Sequence, residues 1–465
     1  FRRFRTFREK SFANTEEPYQ MQLPPSGNIF ETGRFWSNLK DRGYSHSLGF
    51  EWKPKGIDDK RVFGLKGGYY IDFKTRAFNA RSMNYLYPGN SDPMVGQELI
   101  KLPLSDIFSP VNIKAVDGFV IEDGTTSKDS YTGKNLLLAG YINSFIPVGK
   151  FDLSLGFRGE YNNQQLESKF DDGTLLKIHN PIFAPLPFLN VAYNLSERSL
   201  IRFAYSRTVN RPEFRELAPF LYYQFEWEAA IYGNDKLSTA FIHNMDVRWE
   251  MYPNPGETIS IGAFAKEFKD PIELNVQVTT DNPQFNYRNA SQATSYGTEL
   301  EFRKSLADLG LNRIVRNMSV NINAAYIWSQ IDIGTNASTS NQARFRPLQG
   351  QSPYIINTGL YYFDDVTGVS INTAYNVFGP RIFSVGDINY PTWWEKPRHS
   401  VDIQLAKSWL EGRYEVKLNI QNALNATYRI FQDSNLDNKI SGNESVIQHY
   451  KSGTLFTLGL VWKIK

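Results

Sequence analysis

The chain has 465 residues, a formal net charge of +3 and no cysteine, which excludes disulfide and thiol chemistry. The net charge is too small to indicate nucleic-acid binding, and the basic residues are scattered along the chain and not clustered. Aromatic residues make up 15% of the chain, but no run of about 18 apolar residues occurs, and helical membrane spans are therefore excluded.

Segments that alternate apolar and polar residues recur along the whole chain, and no linker divides it. Each such segment predicts a strand with one apolar and one polar face. A loosely patterned start at 1–10 is the first candidate, and a polar stretch with three prolines follows it. The further predicted strands are 44–52, 61–78, 131–145, 151–166, 184–195, 200–207, 241–251, 258–268, 295–304, 318–330, 353–363, 369–377, 399–409, 414–422 and 455–464.

The connections between these segments alternate between short and long. Turns such as 147–150, 196–198 and 253–256 are short, whereas 167–183 and 209–237 are long. Outer-membrane barrels have short periplasmic turns and long extracellular loops, a regularity that a soluble sandwich does not require. If the C-terminus lies in the periplasm, every short turn falls on that side. The pattern therefore predicts an all-β fold, a transmembrane antiparallel β-barrel of about 16 strands over residues 1–465, in the bacterial outer membrane.

Four segments share motifs with one family. They are 203–220, 296–303, 350–357 and 419–428, the last with Asn422, Asn425 and Tyr428. In this order they resemble the Arg-Pro loop strand, the Gly-x-Glu strand, a recurrent strand start and the penultimate strand of the TonB-dependent outer-membrane receptors, particularly those of Bacteroidetes. The spacing of the two asparagines and the tyrosine is also similar to that of the family.

The resemblance implies a barrel of 22 strands with an N-terminal plug in its lumen. Sixteen strands without a plug then correspond to the C-terminal part of a longer receptor. The family's energy-coupling box matches no residue here, and no signal peptide is visible, since 1–7 has no apolar core. Because a barrel of this kind must be exported, we interpret the sequence as a mature or partial product. The end of the chain also departs from the family, because 462–465 stands where an aromatic terminus is usual.

The resemblance implies active import of a scarce ligand that the extracellular loops capture. The implied partners are outer-membrane lipid, the receptor's own plug domain and a TonB-type energy-coupling protein, with no nucleic acid. A surface lipoprotein is a further candidate partner. Two alternatives remain open: a passive 16-stranded porin, and a structural or adhesion component of a cell-envelope complex.

Aromatic residues outside the predicted strands are candidate ligand-binding residues. Tyr222, Tyr223 and Trp227 lie in one long loop, and Trp393 and Trp394 lie in another. Their faces predict stacking on a sugar or a peptide. The alternative is the interfacial aromatic belt, which the sequence favours for the two tryptophans at 393–394.

The last long loop contains a segment, 433–444, that is similar to a calcium-binding loop. Asp433, Asn435, Asp437 and Glu444 stand at positions 1, 3, 5 and 12 of the template, although Asn438 replaces its glycine. A solvated Asp/Asn-rich turn is the simpler interpretation. Calcium is the only cofactor that the sequence suggests.

The polar faces of the last strands predict a hydrated lumen wall. Its side chains are Asp402, Gln404, Glu415, Lys417, Asn419 and Gln421. Arg211, directly before Pro212, is placed to anchor its loop through an ion pair. We find no catalytic triad, Gly-rich phosphate loop or paired carboxylates, so the sequence does not predict an enzyme.

Overall fold

The computed structural model describes residues 4–5, 33–54, 62–224, 229–278, 283–310, 312–333, 344–386, 391–435 and 444–464. Within these ranges, fifteen long strands follow one another as an antiparallel meander. They are β1 (Gly33–Trp52), β2 (Gly64–Leu86), β3 (Ser130–Val148), β4 (Phe151–Lys169), β5 (Leu175–Ser196), β6 (Ser199–Asn210), β7 (Ala240–Met251), β8 (Thr258–Lys269), β9 (Gln292–Ser305), β10 (Met318–Asp332), β11 (Tyr354–Asp364), β12 (Val369–Phe378), β13 (Arg398–Trp409), β14 (Tyr414–Gln421) and β15 (Leu455–Trp462). Each strand pairs with the next one along the chain.

Short connections close one end of the meander. Gly256 (φ +81°) ends the turn between β7 and β8, and Gly368 (φ +69°) ends the turn between β11 and β12. Glycine suits both positions because a side chain is strained at positive φ. At Gly368 a Cβ atom would also lie 2.5 Å from the carbonyl oxygen of Ser408 in β13, so the close approach of this strand needs a small residue here.

The strand register keeps the apolar face continuous around the sheet. Leu155 of β4 lies opposite Leu189 of β5, and Tyr205 of β6 lies opposite Leu189 on the other side. In the last strands, Leu418 of β14 lies opposite Leu458 of β15, which is 68% exposed. A soluble monomer rarely exposes such a continuous apolar surface, so this face is the one that contacts lipid. No helix of the described residues is long and apolar enough to cross a membrane.

The opposite face of the same strands is polar. Asn372 of β12 donates to Gln404 of β13 (3.1 Å), and Gln404 donates to Asn419 of β14 (2.8 Å). These amides form a hydrogen-bonded row across three strands on the side away from Leu418. The prediction that Gln404 and Asn419 belong to the polar wall is therefore confirmed.

Aromatic rings lie flat over glycines on this inner wall. Phe188 of β5 lies opposite Gly156 of β4, where a Cβ atom would come within 2.5 Å of its ring. Phe264 of β8 lies opposite Gly297 of β9, where the same clash would occur at 3.0 Å. An aromatic ring over a cross-strand glycine covers exposed backbone and fixes the register.

The prediction of a long loop over 167–183 is wrong. Strands β4 and β5 continue as one hairpin, and their last cross-strand pair is Lys169 with Leu175. Lysine, histidine and proline residues occupy the outward positions there, at Lys177, His179 and Pro181. Because this part of the hairpin rises above the lipid, it lacks the apolar alternation that identifies the strands below it.

Of the predicted first strand, only Phe4–Arg5 lies in the described part of the chain, where it pairs with Gly33 and Arg34. The described residues therefore contain fifteen long strands and this short one, close to the predicted sixteen. Within the described ranges, no pairing joins β1 to β15, so the sheet is not closed into a complete barrel.

The connections between the long strands carry the remaining elements of the described residues. The helices are Pro93–Leu99, Leu104–Ile107, Phe214–Leu217 and Arg313–Arg316, and the 3-10 turns are Pro110–Asn112, Ser127–Asp129 and Ala307–Leu309. Val120–Asp123 extends the main sheet beside β2, and Phe345–Arg346 does so beside β10.

Eight further strands of the described residues form two small sheets above the barrel wall. The first loop sheet contains Leu221–Gln224, Ala229–Tyr232, Ile272–Val278 and Pro283–Asn289. The second loop sheet contains Arg381–Ser384, Trp393–Glu395, Thr427–Gln432 and Ser445–Lys451. These sheets and the loop 211–220 contribute to two of the buried apolar clusters, one around Phe214 and Leu217 and one around Phe285 and Trp393.

Candidate ligand site at the outer mouth

Two contacts fix the loop that leaves β6 against the inner wall. Arg211 forms an ion pair with Glu160 (2.6 Å), and Arg158 binds the other carboxylate oxygen of Glu160 (2.6 Å). Gln164, four residues after Glu160 on the same face of β4, donates to the carbonyl of Pro212 (2.8 Å). The predicted anchoring role of Arg211 is confirmed, and the loop enters the lumen side of the wall at a defined point.

Beyond Pro212, the short helix Phe214–Leu217 packs inward on the upper wall. Its start is stabilised by the Glu216 carboxylate, which accepts a hydrogen bond from the backbone N–H of Glu213 (2.8 Å). Phe214 lies over Gly133 of β3, where a Cβ atom would be 2.8 Å from its ring. The buried cluster around the helix consists of Ala80, Tyr131, Leu166, Leu176, Ile178, Phe214, Leu217, Ala218, Phe220 and Leu237.

This packing positions Arg215 at the mouth of the lumen. Its guanidinium carbon lies 3.0 Å from the centre of the Tyr222 ring, and the Tyr222 hydroxyl donates to Gln224 (2.8 Å). Within the described residues, no carboxylate lies within 4.0 Å of the Arg215 guanidinium. Arg215 is exposed.

The electrostatics of this position favour an anion. Burial lowers the pKa of Arg215, while the Tyr287 and Tyr131 hydroxyls act in the opposite direction. Burial also raises the pKa of Tyr287 and of Glu216. Arginine stays protonated under these conditions. The mouth thus presents a charged donor whose charge is balanced by an aromatic face and not by an ion pair, which an incoming carboxylate or phosphate would complement.

The two loop sheets are joined above this loop by backbone and side-chain contacts. Val276 donates to the carbonyl of Val385 (2.8 Å). The side chain of Gln349 donates to the carbonyls of Leu274 (3.0 Å) and Phe383 (2.8 Å) and accepts from the N–H of Leu274 (2.7 Å). One amide therefore links strands of both sheets.

A buried ion pair reinforces the same junction. Arg346 binds Glu273 through both oxygens, at 3.0 and 2.6 Å, and the two side chains are only 1% and 3% exposed. Glu273 belongs to the first loop sheet, whereas Arg346 pairs with β10. The pair thus ties the loop sheet to the barrel wall.

The predicted aromatic site residues are placed in different ways. Trp393 and Trp394 are 4% and 5% exposed, and they pack on opposite sides of the second loop sheet. Neither tryptophan lies in a lipid-facing belt or offers an open face, because neighbouring loops cover both rings. Tyr222 contacts Arg215, as described above. The side chain of Tyr223 and the whole of Trp227 lie outside the described residues.

The calcium-like segment is described only in part. Asp433 is 1% exposed, and its backbone N–H donates to the carbonyl of Thr392 (2.9 Å). Asn435 is exposed and Glu444 is half-buried, while Asp437 lies outside the described ranges. In the described part of the chain, no group of three or more His, Cys, Asp or Glu residues could hold a metal. Calcium binding stays a prediction.

Two asparagines that match the family spacing form the turn in which the chain leaves the end of β14. Asn422 (φ +52°) and Asn425 (φ +44°) both adopt the left-handed conformation that asparagine tolerates. The Asn422 side chain accepts from the N–H of Ala426 (3.1 Å) and donates to the carbonyl of Gly453 (2.8 Å). Tyr428 stacks on Tyr450 with ring centres 4.7 Å apart. The motif has a structural role in the last loop.

Arg215, Gln349 and Glu273 were missed as functional candidates by the sequence reasoning. Arg215 lies inside the segment 203–220 that resembles a strand and loop of the receptor family, but nothing in the sequence distinguishes it from its neighbours. Gln349 and Glu273 act through partners 75 and 73 residues away in sequence, so no local pattern identifies them.

A family model, the outer membrane protein beta-barrel family, matches residues 108–457. The chain belongs to this family. Comparison with curated proteins finds no match. Membership confirms the predicted outer-membrane location and the antiparallel barrel architecture.

Solved receptor structures share this fold. They include the ferric citrate transporter FecA in the unliganded form (TM-score 0.57, 12% identity, 92% of this chain and 55% of that one). The copper transporter OprC (0.56, 14%, 93% and 58%) and the ferric yersiniabactin uptake receptor FyuA from Yersinia pestis (0.54, 13%, 90% and 55%) are also similar. The chain spans a little more than half the length of these proteins. The predicted outer-membrane receptor barrel is confirmed at the level of fold.

Proposed function

We propose that this family member is the barrel portion of a receptor that actively imports a ligand across the outer membrane. The ligand is captured at the outer mouth, and transport draws on a plug domain and a TonB-type energy-coupling protein. The shared fold supports this proposal, because ferric citrate, yersiniabactin and copper are named as the cargo of the similar proteins.

The observation that carries the proposal is the position of Arg215. Its guanidinium is held on the Tyr222 ring by a loop that is itself fixed to the wall through Arg211. A preorganised cation without a carboxylate partner costs less to engage than one that must first leave an ion pair. The ligand class that it favours is an anion, for example a metal chelate with carboxylates.

Uptake by cells that produce the full receptor tests the proposal. Labelled ferric citrate and other anionic metal chelates serve as candidate cargo, with and without the energy-coupling protein. We expect uptake of at least one chelate to require coupling, whereas a passive pore would take it up equally in both strains. Uptake of no chelate, or uptake that is independent of coupling, refutes active import.

The site itself is tested by Arg215→Gln, with Arg215→Lys as the conservative variant. We expect Arg215→Gln to raise the half-saturating concentration about tenfold or more, as for the loss of a charged hydrogen bond, and Arg215→Lys to recover part of it. Arg316→Gln, at an exposed position in the short connection between β9 and β10, is the matched control. Equal uptake by Arg215→Gln and the control would show that Arg215 does not belong to the ligand site.

A further inference from the structure

The outward face of β1–β5 changes character above the lipid-facing band. On β1 the apolar outward residues end at Tyr44, and the next outward position is Arg42. On β3 the change is from Leu136 to Lys134. Long loops begin beyond this end of the strands, so it is the extracellular end. The basic side chains therefore stand where the apolar part of the outer leaflet gives way to headgroups.

The register brings these side chains to one height. Arg42 lies opposite Thr75 of β2, and Thr75 lies opposite Lys134 of β3. Adjacent strands are about 4.8 Å apart, so the backbones of Arg42 and Lys134 are about 10 Å apart. Lys40 is the next outward residue above Arg42. Two extended basic side chains can converge on one phosphate across this distance.

Within the described residues, the positive charges of this group are not balanced by carboxylates. Among the described residues, no carboxylate lies within 4.0 Å of Lys40, Arg42 or Lys134. The same strands neutralise a basic residue of the opposite face, since Arg76 binds Asp41 through two hydrogen bonds of 2.7 and 2.6 Å. All three outward side chains are exposed. Their charge thus points away from the lumen.

The group is also confined to one side of the wall. At the corresponding ends of β11, β12 and β13, the outward residues are Tyr354, Val377 and His399. His399 is hydrogen-bonded to Tyr375 through Nδ1 (2.7 Å). The wall opposite β1–β3 therefore lacks such a concentration of lysine and arginine in its described residues.

We propose that Lys40, Arg42 and Lys134 form a binding site for the phosphorylated headgroup of an outer-leaflet lipid. The phosphates would accept charge-assisted hydrogen bonds from the three side chains while the acyl chains lie along the apolar band below. Continuity with the lipid-contacting face and the unbalanced positive charge both favour a membrane lipid over a soluble partner. The site does not depend on the ligand that the receptor transports.

Native mass spectrometry of the full receptor tests this proposal. The receptor is exchanged into detergent with added bisphosphorylated lipid A, and bound copies are counted for the wild type and for a variant with Lys40→Gln, Arg42→Gln and Lys134→Gln. Each basic residue near an anionic surface strengthens binding, so we expect the triple variant to bind at least about tenfold less tightly. A control triple variant, Lys101→Gln, Lys114→Gln and Lys236→Gln, lies in exposed loops and should bind as the wild type does.

Dephosphorylated lipid A is the second probe. It should bind the wild type and the triple variant equally weakly. Equal binding of phosphorylated and dephosphorylated lipid, or equal loss in both triple variants, overturns the proposal. If the triple variant does not assemble, judged by heat-modifiable migration on gels, Lys134→Gln alone is measured against Lys114→Gln, and equal lipid binding by these two also overturns it.

Discussion

Removal of the Arg346 side chain should loosen the loop sheets while the strands in the membrane stay folded. In Arg346→Met, the carboxylate of Glu273 would remain 3% exposed without its cation. An unpaired buried charge of this kind costs about 3–5 kcal/mol. Because about 1.4 kcal/mol corresponds to a factor of ten, local opening of the strand Ile272–Val278 should become about a hundredfold to several thousandfold more frequent.

Hydrogen exchange of the full receptor in detergent measures this opening. Peptides that cover 272–278 should exchange much faster in Arg346→Met, while peptides from β4 and β5 stay protected. Arg344→Met is the matched control, because Arg344 binds Asp332 at 2.8 Å but is 54% exposed. An exposed pair contributes at most about 1 kcal/mol, so exchange near the loop sheet should change little.

A second comparison isolates the buried charge from the lost packing. Replacing both partners, in Arg346→Met with Glu273→Leu, removes the unpaired carboxylate and should recover most of the protection. The reasoning is refuted if Arg346→Met exchanges no faster than Arg344→Met. A double variant that is as open as Arg346→Met would show that packing, and not charge, holds the junction.

Three further changes test the turns and the wall. Asn422→Gly keeps the positive φ but removes two side-chain hydrogen bonds to the backbone, so the free energy of unfolding, measured by thermal unfolding, should fall by about 2 kcal/mol. The control Asn425→Gly should be nearly neutral, because the side-chain oxygen of Asn425 is buried without a partner. Gly156→Ala should cost about 1–3 kcal/mol by its clash with an aromatic ring, whereas Gly140→Ala, with 4.0 Å of clearance, should not; equal thermal midpoints would contradict this. A hydrogen bond from Lys304 lowers the pKa of Glu257, so its stabilisation is complete above the ordinary pKa of about 4.3 and is lost as pH falls through the lower folded value. Proteolysis of the turn should therefore begin in acid for the wild type and be independent of pH in this range for Glu257→Gln.

Much of the barrel wall follows from local pattern. The alternation of apolar and polar residues identifies the strands that contact lipid. Apolar residues such as Leu458 face the lipid, whereas polar residues such as Asn419 face the lumen. The alternation of short and long connections orients the strands. Arg211 beside Pro212 was identifiable because a cation next to a rigid turn residue commonly fixes a loop.

The loops above the wall were decided by tertiary structure. The strand Ala229–Tyr232 pairs in parallel with Pro283–Asn289, although more than fifty residues separate them. The burial of Trp393 depends on Phe285 and Ile430, which come from other loops. No sequence window contains both partners of such a contact, so aromatics that looked exposed are instead interior.

The physical reason for this division is the environment. Lipid on one side and a hydrated lumen on the other require apolar and polar residues to alternate along every strand, and this two-residue repeat is visible in the sequence. Above the membrane no such solvent boundary exists, and a residue's surroundings depend on which loops meet. The sequence by itself therefore determined a membrane-spanning wall and its orientation, while the position of Arg215 on Tyr222 and the ion pair between Arg346 and Glu273 were decided only when distant loops packed together.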